Sequence, residues 1–423
     1  MSPLSKRLGL LLALYLAQGV PFGVYSQALP AILRSYDAPL SLISLSGLLA
    51  IPWALKVLWS PLVDRYYWPS VGHRRSWILP MNIGLAAVMG GLCLFNPESL
   101  REESGVYWLF GLLFLVNLFA ATQDIATDGL AVRILSSEER GLGNGIQVSS
   151  YRVGIIVGGG LLLLVLDTLG WAQAFIGLTI MSLLLLLPAV FYREPPISAE
   201  ILAVSKEPYS AAWVSFFKRP ELAGWIWVLV TYKVADSLAS AMVKPMMVDM
   251  GMSLSQIGLQ VSMISAVTTI AGAMLGGYWL QKVGRRHGLV WFGALQCLAI
   301  GCYAIPAMGY GVAGLTATGT AVAVNAIEHF AGGMAMAALL SAVMDRARQA
   351  HAGVDFTLQV SLLAVFGGSF YVPAGFLAEA VGYADHFLIS ALVGVLMLWP
   401  AWRFTREPQE LEAAEGVLVA RNT

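Results

Sequence analysis

Asp124 and Asp128 stand one helical turn apart in Val116-Asn-Leu-Phe-Ala-Ala-Thr-Gln-Asp-Ile-Ala-Thr-Asp-Gly-Leu-Ala-Val132, a stretch otherwise apolar enough to cross a bilayer. A carboxylate in hydrocarbon costs about 2.5 to 3.5 kcal/mol on insertion scales, so the pair requires a polar partner, a water-filled cavity or a bound proton. Carboxyl groups so placed can pass protons between two aqueous sides or meet a polar solute in transit. That is the chemistry of a carrier.

Other ionisable residues fall at comparable depth in apolar runs: Asp236 and Glu328 among the acids, Lys56, Arg152, Lys233 and Lys244 among the cations. Acids and cations balance, as paired burial would require, because removing one member of a buried pair costs about 3 to 5 kcal/mol. Asp124 and Asp128 share a face by their i, i+4 spacing. Arg152 follows in the next apolar run, so Asp124 and Arg152 read either as a structural ion pair or as a gate opened by protonation or by a competing solute. Asp128 is a proton-coupling candidate or an interfacial residue. Lys233 and Asp236, three apart, can pair with each other or face a polar cavity. Glu328 and His329 are adjacent and point about 100° apart on an ideal helix, so they are not expected to share a narrow face. His329 titrates near neutrality when unperturbed, which makes it a proton carrier or a neutral hydrogen-bonding residue. Gln18, Tyr25, Gln27, Gln123, Tyr151, Tyr232 and Gln359 add amides and phenols that could hold a large polar ligand.

These groups must be positioned by membrane-spanning elements. Hydrophobic residues make up 58% of the chain and charged residues 12%, and the mean hydropathy is +0.72, whereas an ordinary soluble domain is roughly 25% charged. The net charge is zero, so nothing points to nucleic acid. Cys93, Cys297 and Cys302 lie in apolar runs without metal-ligand spacing. No phosphate-cradling glycine loop or serine triad is visible, so no metal, cofactor or enzymatic role is expected.

A spanning helix needs about 20 mostly apolar residues. Such segments run over 8 to 33, 41 to 63, 77 to 96, 106 to 133, 141 to 166, 171 to 192, 220 to 247, 254 to 281, 288 to 308, 313 to 343, 355 to 381 and 384 to 404. This predicts an all-α integral membrane protein of twelve transmembrane helices. The first follows Lys6 and Arg7 but is too long for a signal-peptide core, so it is expected to be retained. With a cytoplasmic N-terminus, nearly all basic residues outside the spans lie on the inner side and only Arg34 and Arg101 on the outer. The positive-inside rule then puts both termini in the cytoplasm.

The longest polar interruption, 193–219, carries Pro195, Pro196 and Pro208. It divides the chain into a six-helix bundle over 1–192, a cytoplasmic linker over 193–219, a second six-helix bundle over 220–404 and a cytoplasmic tail over 405–423. A local signature repeats between the halves. One copy reads Ser60-Pro-Leu-Val-Asp64-Arg65, a five-residue insertion, then Gly72-His-Arg74-Arg75; the other reads Gly277-Tyr-Trp-Leu-Gln281-Lys282-Val-Gly284-Arg285-Arg286. Such a repeat suggests two parallel halves with a midplane site between them. Glycines at 154, 158, 159 and 160, and at 272, 276 and 277, mark places for close helix contact.

Both copies resemble motif A of the major facilitator superfamily. The resemblance covers nearly the whole chain and implies alternating access, with helices 1, 4, 7 and 10 lining a cavity. It also implies that Asp64 acts as an acidic latch on the cytoplasmic gate, with a basic partner such as Arg133. The first copy has Ser60 in place of the usual glycine and the second has Gln281 in place of the usual aspartate. Longer strings narrow the resemblance: Pro52-Trp-Ala-Leu-Lys56-Val-Leu-Trp-Ser-Pro-Leu-Val-Asp64-Arg65-Tyr66, Gln123-Asp124-Ile-Ala-Thr-Asp128, Glu138-Glu-Arg140-Gly141 and Tyr151-Arg152-Val-Gly. Together they are similar to the AmpG-type permeases and to their RhtX/FptX siderophore relatives. The spelling after Asp124, and Glu328-His329-Phe-Ala-Gly-Gly, are more like the siderophore branch. The resemblance implies a monomeric, proton-coupled importer in a bacterial inner membrane, carrying a siderophore or ferric siderophore or, alternatively, a muropeptide, with a non-transporting sensor on a transporter fold as the distant alternative.

Overall fold

The computed structural model describes residues 3–411 apart from 39–41, 44, 198, 200–202, 204–206, 220 and 254–255. The basic residues Lys206 and Arg421, counted toward orientation, lie outside the described residues. A bilayer offers the backbone no hydrogen-bond partner, so a chain this apolar satisfies its amides within helices. Among the described residues the regular structure is helical, with one isolated bridge between Trp68 and Gly72. The protein is an all-α integral membrane protein, and its described residues form twelve transmembrane helices in two six-helix bundles.

In chain order these are α1 (Leu4–Ser35), the broken α2 (Leu45–Leu58, resuming as Ser60–Arg65), α3 (Arg75–Leu92), α4 (Glu103–Ile134), α5 (Arg140–Leu169) and α6 (Trp171–Phe191). Then follow α7 (Leu222–Asp249), α8 (Gln260–Val283), α9 (Arg285–Ala307) and α10 (Ala317–Asp345). The run α11 starts with Ala352–Ser369 and continues into Tyr371–Phe404, where Gly382, at φ 80°, ends it and starts α12. A short helix, Ala211–Phe217, lies in the linker.

By proximity the chain divides into two compact units. One comprises Met1–Leu135, Ser150–Val214 and Ala347–Thr357; the other comprises Ser136–Ser149, Ser215–Arg346 and Leu358–Thr423. In the first, α3 packs on α4 and α6, and α1 on α4, α6 and the middle of α5. Its apolar core includes Leu85, Met89, Leu109, Val116 and Phe175. In the second, α8 packs on α10, α9 on α10 and α12, and α7 on α12. Its core includes Met246, Met247, Ile300, Tyr303 and Phe387.

Glycine sets the closest approaches. A Cβ at Gly158 of α5 would run into the Val20 carbonyl of α1, and one at Gly272 of α8 would meet the Phe330 carbonyl of α10. Backbones can touch there only because no side chain intervenes.

Several spans are broken where the sequence reads as continuous. In α2, 3-10 turns alternate with short α segments, Pro52 enters a new segment, and Lys56 opens the last 3-10 turn. In α7, the helix over Leu222–Thr231 stops and a new one starts at Val234, leaving Tyr232 and Lys233 in a turn. Such breaks free backbone groups inside the bilayer and occur where polar side chains can satisfy them.

Candidate functional site

The carboxyl pair of α4 is met from two sides. Asp124 receives the Lys56 ammonium from the break in α2, and both side chains are less than a tenth exposed. Asp128 accepts a hydrogen bond from the Tyr15 hydroxyl of α1 at 2.9 Å. Tyr15 and Asp128 are themselves buried. Three helices thus close on a group of two carboxyls, one ammonium and one phenol. This corrects the Asp124–Arg152 pairing. Arg152 lies on an exposed face of α5, and Lys56 reaches Asp124 from the broken run of α2.

An aromatic wall adjoins the pair. Tyr25 packs edge-on against Phe22 at 5.1 Å between ring centroids, Phe22 lies 5.8 Å from Tyr151, and Tyr151 lies 6.5 Å from Trp53. The Lys56 ammonium sits 5.7 Å over the Trp53 ring, and the Trp53 indole N–H donates to Asn117 at 2.9 Å. Of the amides proposed as ligand contacts, Gln27 is exposed, whereas Gln18 and Gln123 are fully buried. The Gln123 amide donates to Thr127 at 3.4 Å.

A second polar group links α7, α9 and α10. Lys233, in the turn that breaks α7, pairs with Asp236 at 2.7 Å. The Gln296 amide nitrogen donates to Asp236 and to Glu328, each at 2.8 Å. Glu328 meets the Nδ1 of His329 at 2.7 Å through its other oxygen. The adjacency of Glu328 and His329 therefore does not keep them apart; two flexible side chains span the angle that separates their Cβ atoms. Tyr232 and Gln359 are committed to packing instead. The Tyr232 hydroxyl donates to the Leu289 carbonyl at 2.8 Å, and Gln359 accepts from the Trp225 indole at 2.6 Å.

The basic loops build ordered layers at the cytoplasmic ends. Asp64 is fully buried, pairs with Arg74, and accepts the amides of Gly353 and Val354 at 3.2 and 2.9 Å. It thereby caps the start of α11, where anionic groups offset the helix dipole. The expected partner Arg133 faces elsewhere, 3.7 Å from Glu194 and 3.3 Å from the Nδ1 of His73. The tight loop after α2 explains this, because it folds Arg74 back onto Asp64, and His73 Nε2 bonds the Asp64 carbonyl at 2.8 Å. A carbonyl only accepts, so Nε2 carries the hydrogen and Nδ1 accepts from Arg133. Burial, then the neighbouring Arg74 guanidinium, pushes the His73 imidazole down to about 3, so it is neutral at physiological pH.

The two halves cap their third helices alike. Glu194 accepts the amides of Arg74 and Arg75 at 3.1 and 2.5 Å, and Glu407 accepts those of Arg285 and Arg286 at 2.9 and 3.0 Å. In the second copy the acid absent at Gln281 is supplied by Asp345, which takes Arg285 at 2.6 Å and Arg140 at 2.8 Å. Gly277 lies against the Gly141 backbone, Lys282 stacks over Tyr278 at 5.0 Å, and Gly284 takes φ 79° to end α8. Arg65 lies 5.5 Å from the Tyr66 ring.

The family model described as Major Facilitator Superfamily matches residues 11–370 and 230–419. The chain belongs to the major facilitator superfamily. As a member, it is a multi-pass membrane transporter. It is 28% identical over 404 residues to the anhydromuropeptide permease of Escherichia coli K12, covering 93% of this chain and 79% of that one. It is 23% identical over 397 residues to a putative transporter, AmpG 4, of Rickettsia conorii, covering 91% and 93%. Among solved structures, the proton:xylose symporter XylE bound to 6-bromo-6-deoxy-D-glucose superposes with a TM-score of 0.70 at 13% identity, over 95% of this chain and 97% of that one. That likeness is one of fold.

Sequence reasoning passed over Tyr15, Gln296 and the two capping glutamates in this transporter. The glutamates had a signal: Arg193-Glu-Pro195 and Arg406-Glu-Pro408 repeat the same string after the sixth and twelfth spans. Tyr15 and Gln296 had none, since one tyrosine or glutamine in an apolar run is indistinguishable from its neighbours until the helices are packed.

Proposed function

We propose that this transporter imports a muropeptide-type solute, a sugar bearing a peptide, across the bacterial inner membrane by alternating access coupled to protons, with both termini in the cytoplasm. The observation that carries the solute class is the aromatic wall of Phe22, Tyr25, Tyr151 and Trp53 leading to the Lys56–Asp124 pair. Aromatic faces suit sugar rings, and a lysine beside them suits a peptide carboxylate. Placing a few polar groups on an apolar lining is how ligand sites fix orientation. Similarity to an anhydromuropeptide permease and to a putative AmpG transporter supports the same reading, and supports it better than siderophore import.

Coupling is assigned to the Tyr15, Lys56, Asp124 and Asp128 group. With Lys56 charged and both carboxyls ionised it carries one net negative charge in a buried place, and one bound proton neutralises it. A proton taken up from outside and released inside would therefore accompany the solute. Asp64, with the basic residues of both motif copies, serves as the latch that opens and closes around each cycle.

The test is uptake into proteoliposomes with the interior alkaline. Labelled anhydromuropeptide should accumulate and labelled ferric siderophore should not. Accumulation of the siderophore alone would reverse the assignment of solute.

A further inference from the structure

The two polar groups, the first buried and the second partly exposed, have the same charge composition. In the first, Lys56 offsets one carboxyl of the pair Asp124 and Asp128, with the Tyr15 hydroxyl as the neutral donor. In the second, Lys233 offsets one carboxyl of the pair Asp236 and Glu328, with the Gln296 amide as the neutral donor. Each holds one ammonium and two carboxyls. Each therefore lacks one positive charge for neutrality.

In the second group the geometry locates that charge. Lys233 bonds Asp236, and the Gln296 amide is uncharged. Glu328 is 7% exposed; one carboxylate oxygen accepts from Gln296, and the other lies 2.7 Å from His329 Nδ1. His329 Nδ1 is hydrogen-bonded to the Asn325 carbonyl at 3.1 Å and lies 2.7 Å from the Glu328 carboxylate, both of them acceptors, so Nδ1 carries the ring hydrogen. The neutral ring then keeps its lone pair on Nε2, and the side chain is 29% exposed. The other groups facing this place are neutral: Cys297 of α9, the Asn325 carbonyl 3.1 Å from His329 Nδ1, and the Tyr303 hydroxyl, which is held by the Asn325 amide oxygen.

We propose that the Glu328–His329 pair is a second proton-binding site, so that two protons accompany each solute. A proton arriving from the outer aqueous side binds His329 Nε2. The resulting imidazolium is paired through Nδ1–H with the Glu328 carboxylate, and the same proton leaves to the inner side after solute release. No other bond forms or breaks. Lys233 and Gln296 hold Asp236 apart from this exchange, so one carboxyl of the group stays compensated throughout the cycle. This inference rests on the proton-coupled reading above and extends it from one site to two.

A stoichiometry measurement tests it. In proteoliposomes held at zero membrane potential with a fixed anhydromuropeptide gradient, the pH gradient that brings net solute flux to zero gives the number of protons per solute. Wild type should give two, and Glu328→Gln and His329→Gln should each give one while still accumulating solute. At a gradient of one pH unit the limiting accumulation then falls from about 100-fold to about tenfold. A wild-type value of one, or a value of two that persists in both variants, overturns the second site and leaves coupling at Asp128 standing. A value of zero overturns the proton-coupled reading itself, and this inference with it.

Discussion

Lys56 meets Asp124 between α2 and α4, with side-chain exposures of 7% and 9%. It is this contact, made where α2 loses its regular helix, that holds a carboxylate inside an apolar bundle. Removing one partner should leave the other charge buried and alone. Lys56→Met is expected to cost about 3 to 5 kcal/mol in denaturant unfolding in detergent, and the double variant Lys56→Met/Asp124→Leu much less. Equal losses in the single and double variants would mean that the two charges do not compensate each other.

Asp64 ties α2 to the start of α11 through the amides of Gly353 and Val354. In Asp64→Ala those two amides should exchange with solvent at least about tenfold faster, the change that 1.4 kcal/mol produces. The amides of Arg285 and Arg286, capped by Glu407, are the internal control and should be unaffected. Unchanged exchange at Gly353 and Val354 would contradict the cap.

His73 makes stability depend on pH in a definite direction. Its folded-state value of about 3 lies below the ordinary value of about 6.5 for an unfolded chain. Between those values the unfolded state binds the extra proton, so stability rises with pH. The contribution is fully present above the unfolded value and is lost as pH falls toward the folded one. Thermal unfolding between pH 4 and 7 should show a weaker pH dependence in His73→Gln than in wild type. An identical slope in both would exclude His73 as a source.

Gly158 and Gly160 differ only in what surrounds them. A Cβ at Gly158 meets the Val20 carbonyl, whereas nothing lies within 4 Å of one at Gly160. Gly158→Ala should cost about 1 to 3 kcal/mol or block folding, the range for overpacking. Gly160→Ala should be tolerated, and the comparison is read by the yield of folded protein and its melting temperature.

The all-helical membrane fold was legible because a spanning helix announces itself by length and apolarity. Asp64, Asp124, Asp128, Glu328 and the basic loops were legible because charge inside or beside an apolar run is costly and therefore conspicuous. Partners were harder to read. Sequence gives the depth of a residue in the bilayer but not its azimuth around the bundle, so Arg152 reads as the partner of Asp124, although Lys56, set in the break of α2, holds that place. The same blindness hid Arg74 as the partner of Asp64, because the turn after α2 reverses the chain within a few residues. Glu328 and His329 failed differently: ideal-helix angles describe Cβ directions, and long side chains can reach across them.

If the buried group containing Asp128 carries a coupling proton, Asp128→Asn removes that proton from the cycle. That change keeps an acceptor for the Tyr15 hydroxyl and removes the exchangeable proton. Anhydromuropeptide uptake into proteoliposomes should be followed with an inward proton gradient and, separately, as counterflow without one. The variant should exchange solute in counterflow as wild type does, while its limiting accumulation under a gradient of one pH unit falls about tenfold, because one proton per solute is lost. Full gradient-driven accumulation by Asp128→Asn would contradict the account.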